Sequence, residues 1–282
     1  MAKTLYDGRI SPIMIQAENL DDAWHTTLYR CFQHGYKYRV EHGSYAGQDR
    51  YEFDCVTVVI KDPPAGVDGE YLVPLMPEGN GLVPPTSKAY VEDYFARYLM
   101  SDQKTEHEDY TYGERLVNPC HRPVGRPSLD RPHVLVADEN SWCTNAPFSN
   151  VNQISEVVRL FAEKGEGTNQ ATMEIAMPWD ILLQDPPCMR LIDCRVRYDK
   201  LHLFVYFRSW DLYSGFPANL GAIELLKQYM VEMIKCRPGS RLPNIGNGQI
   251  IAFSKGLHIY SQYLPVVEAR FGRSYEKIRG GA

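Results

Sequence analysis

The residue types that could do chemistry gather in short fragments of the C-terminal half. Asp185-Pro186-Pro187-Cys188 places two prolines directly before a thiol, with a strand-like run after it. A rigid entry that aims a thiol off a strand end is what a nucleophile needs. Arg208-Ser209-Trp210-Asp211 ends the next strand-like run and sets a cation and an anion on one β edge. Gly215-Phe216-Pro217-Ala218-Asn219 then enters an apolar helix. A carboxamide at such a helix start donates and accepts at once, which suits the edge of a pyrimidine base. In Leu257-His258-Ile259-Tyr260, strand alternation puts His258 and Tyr260 on one face, two polar tips able to hold a sugar hydroxyl. Taken singly, each fragment also reads plainly as structure: a packing cysteine, a salt bridge beside an N-cap, a core His and Tyr satisfied locally.

The elements that must position these residues follow from periodicity. Asn19 caps a helix running to His34, and Gly35 stops it. Tyr51–Ile60 is β-branched and aromatic and predicts one strand. Residues 62–87, rich in Pro and Gly, read as a loop with a short strand at Tyr71–Leu75. Ser87 caps a helix over Lys88–Met100, where Tyr90, Tyr94, Phe95 and Leu99 recur at helical spacing. Residues 117–150 hold five prolines and read as an excursion with a short strand at His133–Ala137. Further on come a helix at Ile154–Lys164, a strand at Thr172–Met177, and a hairpin of Met189–Tyr198 and Leu201–Ser209 turning at Asp199-Lys200. A long apolar helix at Asn219–Ile234, a strand at Gln249–Ser254 and a helix at Leu264–Phe271 complete the body, and residues 272–282 read as a frayed tail. Helix and strand mix without regular βαβ alternation, which predicts α+β.

Composition narrows the function classes. The 282 residues are 44% hydrophobic and 23% charged, enough for a real core, so general disorder is excluded. The net charge of -5 disfavours a general nucleic-acid binder, and no apolar run is long enough for a membrane span. The N-terminus lacks an apolar signal core, so a cytoplasmic address is expected. The 7 cysteines include no CxxC, so reduced thiols and no bound metal are expected. The phosphate loops GxGxxG and GxxxxGK[ST] are absent, as is HExxH.

In this order, Pro187-Cys188, Arg208-Ser209-Trp210-Asp211, Gly215 to Asn219 and His258-Ile259-Tyr260 resemble the thymidylate synthase family across residues 150–265, and Tyr112-Gly113 resembles its Tyr-Gly segment. The resemblance implies one thymidylate synthase-like domain over 1–282, with a twisted mixed sheet, flanking helices and a homodimer packed through the sheet. It implies transfer of a one-carbon unit from 5,10-methylenetetrahydrofolate, as co-substrate, to C5 of a pyrimidine nucleoside monophosphate, with dUMP favoured. Cys188 would add to C6, its pKa lowered by Arg208. Arg208 and Ser209 would hold the phosphate, with Arg50 or Arg39 from the N-terminal loop. Asn219 would read the base, and His258 and Tyr260 the sugar. Asp211 and Gly215 would meet the folate, Tyr112 the proton leaving C5, and Glu92 the water that assists at O4.

Three departures stand out. Asn169 and Gln170 replace two arginines that family members donate across the dimer. RSYEKIRGGA is not the family's apolar closing tail, and no Trp lies between Glu92 and Tyr112, leaving Trp24 or Trp142 as substitutes and 117–150 as a possible lid. A dry site passes hydride and makes a methyl group, whereas a wetter one lets water add. Hydroxymethylation is therefore slightly favoured over methylation, with a plain thymidylate synthase as the alternative. A Cys188/His258 hydrolase and a silent nucleotide-binding protein complete the alternatives.

Overall fold

The computed structural model describes residues 9–41, 45–64, 73–74, 82–106, 108–119 and 151–280. In chain order these form β1 (Pro12–Ala17), α1 (Leu20–His34), β2 (Tyr36–Arg39), β3 (Asp49–Glu52), β4 (Cys55–Ile60), α2 (Lys88–Tyr94) and α3 (Tyr112–Val117). They continue with α4 (Gln153–Lys164), β5 (Thr172–Glu174), β6 (Met189–Arg197), β7 (Lys200–Phe207), β8 (Trp210–Asp211) and α5 (Gly215–Cys236). β9 (Gly246–Ser254), β10 (Leu257–Tyr260), α6 (Leu264–Phe271) and α7 (Tyr275–Gly280) close the chain. The fold is α+β with helices flanking a mixed sheet, as expected. The strands at Tyr71–Leu75 and His133–Ala137 fall on residues outside or only partly within the described ones.

Six strands form the large sheet in the order β1-β4-β9-β7-β6-β5, and four form the small one in the order β2-β3-β10-β8. Along β6, β7, β9 and β4, alternate residues point inward. Ile192, Cys194, Leu203, Val205, Ile250 and Val58 join the core beneath α5. α5 buries residues on most of its circumference, including an ion pair of Glu224 and Lys227 at 2.7 Å. The outward rows hold Leu191, Phe204, Tyr206, Ile251, Phe253 and Val59, half-buried or exposed in the single chain.

Several expectations change. Tyr51–Ile60 is two strands in different sheets: β3 ends at Glu52, the Phe53 amide donates to Leu257 O (3.0 Å), and β4 begins at Cys55. The helix predicted to end at Met100 leaves α-geometry at Phe95, where a π-helical turn runs to Leu99. The strand at 172–177 stops at Glu174, and a 3₁₀ turn follows over Pro178–Leu182. The β6–β7 turn centres on Tyr198 and Asp199, both left-handed, one residue before the expected position. The long helix begins a turn early, at Gly215. Pro217 fits a first turn because its missing N–H would have no partner there. The tail is docked rather than frayed: Ile278 of α7 is buried, and Tyr275 packs edge-on against Phe32 and Tyr51. Among the described residues no helix is long and apolar enough to cross a membrane.

Candidate active site

The two sheets meet where the chemistry-bearing fragments lie. β6 and β7 are antiparallel, so the residue before one strand faces the residue after the other: the Arg208 amide donates to Cys188 O at 2.8 Å. β8 then leaves the large sheet and pairs parallel with β10, setting Asp211 opposite His258. β10 in turn pairs with β3, setting Tyr260 opposite Arg50. Sheet register thus brings Arg50, Cys188, Arg208, Ser209, Asp211, His258 and Tyr260 into one region.

Guanidinium groups brace the entry to Cys188. Arg208 Nε donates to the carbonyls of Pro186 and Pro187 at 3.2 Å, and its Nη2 pairs with Asp185 at 3.1 Å. A bulge between Met189 and Leu191 takes Arg190 out of the ladder, and Arg190 also donates to Pro187 O (3.2 Å). Behind it lies Asp180, fully buried, which accepts from Arg115 (2.9 Å), Arg190 (3.4 Å) and the Met177 amide (2.8 Å). Burial pushes the Cys188 thiol pKa up. Arg208, Arg50 and Arg190 pull it down and Asp185 adds to the rise, and the net direction is upward. The expected lowering by Arg208 is present but outweighed, because the thiol is largely desolvated.

Of the two N-terminal arginines, Arg50 rather than Arg39 reaches this cluster. Arg39 is exposed beside Asp49, whereas Arg50 Nη2 lies 3.4 Å from Ser209 Oγ and 2.8 Å from His258 Nδ1, and Arg50 also pairs with Glu52. His258 Nδ1 is equally 2.8 Å from Gly256 O. One nitrogen cannot accept from the arginine and donate to the carbonyl, so these contacts are alternatives that set the tautomer. Burial, then the Arg50 charge, lowers the His258 pKa to about 4, which keeps the ring neutral. Tyr260 stacks on Tyr45 with centroids 4.0 Å apart.

Asn219 lies one turn inside α5, not at its start, and remains half-buried. Its Oδ1 accepts from Trp210 Nε1 (2.9 Å), and its Nδ2 donates to Tyr94 OH (2.9 Å). Asp211 caps α5: its Oδ2 accepts from the Ser214 and Gly215 amides at 3.0 Å and from Ser214 Oγ at 2.6 Å. Among the described residues its Oδ1 accepts only from the Tyr213 amide, at 3.3 Å, and keeps capacity for a further N–H donor. Gly215 lies against this carboxylate, where a Cβ would stand 3.4 Å from the Asp211 Cβ. The Tyr112 hydroxyl accepts from the Met189 amide at 3.2 Å, next to Cys188. Tyr98 and Tyr110 pack beside Tyr112. Burial pushes the Tyr98 hydroxyl up to about 12, and it raises Tyr110 and Tyr112 further.

Other expected residues lie elsewhere. Glu92 is exposed on α2, about 200° around the helix from Tyr94, so the helix reaches Asn219 through Tyr94 instead. Asn169 and Gln170 precede Ala171, which pairs with the Cys194 end of β6, about 20 Å along the strand from Cys188. Trp24 is buried and donates to Leu212 O (2.9 Å), so it braces the Asp211 loop and does not line the site; Trp142 is outside the described residues. The sequence reading missed Tyr94, Tyr98, Asp180 and Arg190. Tyr90 and Tyr94 were visible only as a helical stripe, which equally describes packing.

The family model "Thymidylate synthase" matches residues 107–279 of this chain. A Methanosarcina barkeri protein named "Putative thymidylate synthase" is 26% identical over 261 residues, covering 93% of this chain and 94% of that relative. The Methanosarcina acetivorans protein of the same name is 28% identical over 261 residues, with the same coverage. Among solved structures, thermostable thymidylate synthase A from Bacillus subtilis superposes with a TM-score of 0.58 at 14% identity, covering 91% of this chain and 85% of that one, a likeness of fold.

Proposed function

The chain belongs to the thymidylate synthase family, and from that premise we propose that it transfers a one-carbon unit from 5,10-methylenetetrahydrofolate to C5 of a uracil nucleoside monophosphate, dUMP favoured, through a covalent adduct at Cys188. The observation that carries the reading is the convergence of Cys188, Arg208, Ser209, Arg50, Asn219 and His258 at one junction between two sheets. C5 of uracil is a weak nucleophile. Thiolate addition to C6 makes C4–C5–C6 an enolate, and C5 then attacks the one-carbon unit. The folate supplies that unit, with Asp211 as the acceptor for its ring.

In this reading Arg50, Ser209 and Arg208 take the phosphate. Phosphate capture by Arg208 competes with its present bond to exposed Asp185. His258 and Tyr260 hold the sugar hydroxyl, and Tyr112 serves the proton leaving C5. As that proton leaves, the bond between the one-carbon unit and the folate nitrogen breaks, tetrahydrofolate departs, and the nucleotide carries an exocyclic methylene. Water adds to it, the thiol leaves C6, and a hydroxymethyl nucleotide results. The absence of a Trp between Glu92 and Tyr112 supports this outcome, since an indole there would exclude water. The second reading, a methyl product, is favoured by the name that the full-length archaeal relatives carry.

A homodimer joined through the outward sheet face is part of the proposal. Asn169 and Gln170 lie too far from their own Cys188 to serve it, which supports donation to a second copy's phosphate. The test is release of tritium from C5 of labelled dUMP. Folate-dependent release that is lost in Cys188→Ala supports the reading. Tight dUMP binding without release would make the chain a silent nucleotide binder, and turnover of an ester or amide by Cys188 and His258 would make it a hydrolase.

A further inference from the structure

We infer that Trp210 is a specificity-determining residue: its indole N–H locks the carboxamide of Asn219 in the one orientation that reads uracil and rejects cytosine. This rests on the proposed function and deepens it. An asparagine by itself does not choose between the two bases. With Oδ1 facing N3 and Nδ2 facing O4 it pairs with uracil; rotated by 180° it pairs equally well with N3 and the amino group of cytosine. What chooses is whatever holds the amide.

Here two groups hold it. Trp210 Nε1 lies 2.9 Å from Oδ1, and Tyr94 OH lies 2.9 Å from Nδ2. The two are not equivalent. A phenol hydroxyl donates or accepts, so Tyr94 tolerates either end of the amide. An indole N–H only donates, so a flipped Asn219 would set N–H₂ against N–H. The indole cannot turn aside. Trp210 is 2% exposed, stacks on Phe207 at 3.8 Å and 4°, and packs on Phe216 at 4.6 Å. It is also held in β8 by pairing with Leu257. Each amide atom keeps one further site, a lone pair on Oδ1 and a proton on Nδ2, so the free edge offers an acceptor beside a donor. That edge complements N3–H and O4 of uracil. Leaving a buried donor unmet corresponds to about 10- to 100-fold in an equilibrium.

The test measures Kd for dUMP and for dCMP calorimetrically, without folate, on the wild type, Trp210→Phe and Tyr94→Phe. The wild type is expected to prefer dUMP by at least about tenfold. Trp210→Phe should bring the two constants to within about threefold, chiefly by tightening dCMP. Tyr94→Phe should weaken both nucleotides and keep their ratio. If Trp210→Phe does not fold, benzothienylalanine at position 210 keeps the bicyclic ring without the N–H and carries the same comparison. A Trp-replaced protein that binds dUMP and retains the full preference overturns the lock and leaves the proposed reaction standing. A wild type that prefers dCMP also overturns the lock. A wild type that binds neither nucleotide overturns the proposed function and this inference with it.

Discussion

Asp180 offers the sharpest test of how the nucleophile's loop is held. It is fully buried, and its two oxygens take Arg115 at 2.9 Å, Arg190 at 3.4 Å and the Met177 amide at 2.8 Å. Asp180→Asn keeps the shape and removes the one negative charge between two guanidiniums. Breaking a buried ion pair from one side costs about 3–5 kcal/mol. Arg115 is almost fully enclosed, while Arg190 is partly exposed and its contact is longer, so the lower half of that range applies, about 3–4 kcal/mol. An unfolding entropy of about 2.1 cal/mol/K per residue, over the whole chain, makes 1 kcal/mol worth about 1.7 °C. The expected drop in Tm is then about 5–7 °C. Calorimetry reads it directly, with Glu232→Gln as a control, since Glu232 is exposed on α5 and pairs with Lys235 at 2.7 Å. Arg115→Met added to Asp180→Asn should cost less than in the wild type, because the orphaned charge is gone. An Asp180→Asn loss under about 1 kcal/mol, or equal to the control, would refute the reasoning.

Three further outcomes are expected. Asp185→Asn removes a charge that raises the Cys188 pKa, so the pH profile of Cys188 alkylation should move to lower pH, and an unmoved profile would contradict that assignment. His258 is held neutral, with its pKa lowered from 6.5 to about 4. Between those values the unfolded chain binds more protons, so its contribution is complete above pH 6.5 and is lost as pH falls toward 4. Urea melts across that window should weaken in the wild type and weaken less in His258→Gln. Ile278→Ala removes a buried contact between α7 and the body and should cost about 2–4 kcal/mol in urea denaturation; a cost below about 0.5 kcal/mol, the size of a surface change, would mean the C-terminal helix is not docked.

The motifs were legible wherever chemistry is local. Pro187-Cys188 and His258-Ile259-Tyr260 announce a rigid thiol and a polar strand face from a few neighbours each. Arg50 was not separable from Arg39, because what distinguishes them is the pairing of β3 with β10, a contact across two hundred residues of chain. Asn219 sits one turn inside α5 rather than at its start, since Pro217 inside a first turn looks the same in sequence as Pro217 before one. Tyr94 and Trp210 carried no polar signal, because an aromatic residue at helical or strand spacing describes a core equally well. Arg190 lies at the bulge in β6, which no local pattern marks, and the partners of Asp180 are distant in sequence apart from Met177. Glu92 shows the converse: a carboxylate expected to face the cluster lies on the exposed side of α2, whose Tyr94 reaches Asn219.

The most direct test of the central claim is the mass of the nucleotide formed from dUMP and 5,10-methylenetetrahydrofolate, run beside Cys188→Ala. The account predicts a nucleotide carrying a hydroxymethyl group at C5, tetrahydrofolate as the other product, and nothing from the alanine variant. A methyl product with dihydrofolate would keep the role of Cys188 and overturn the water-addition step. Unchanged dUMP from wild-type protein that binds it, or equal product from Cys188→Ala, would contradict the account.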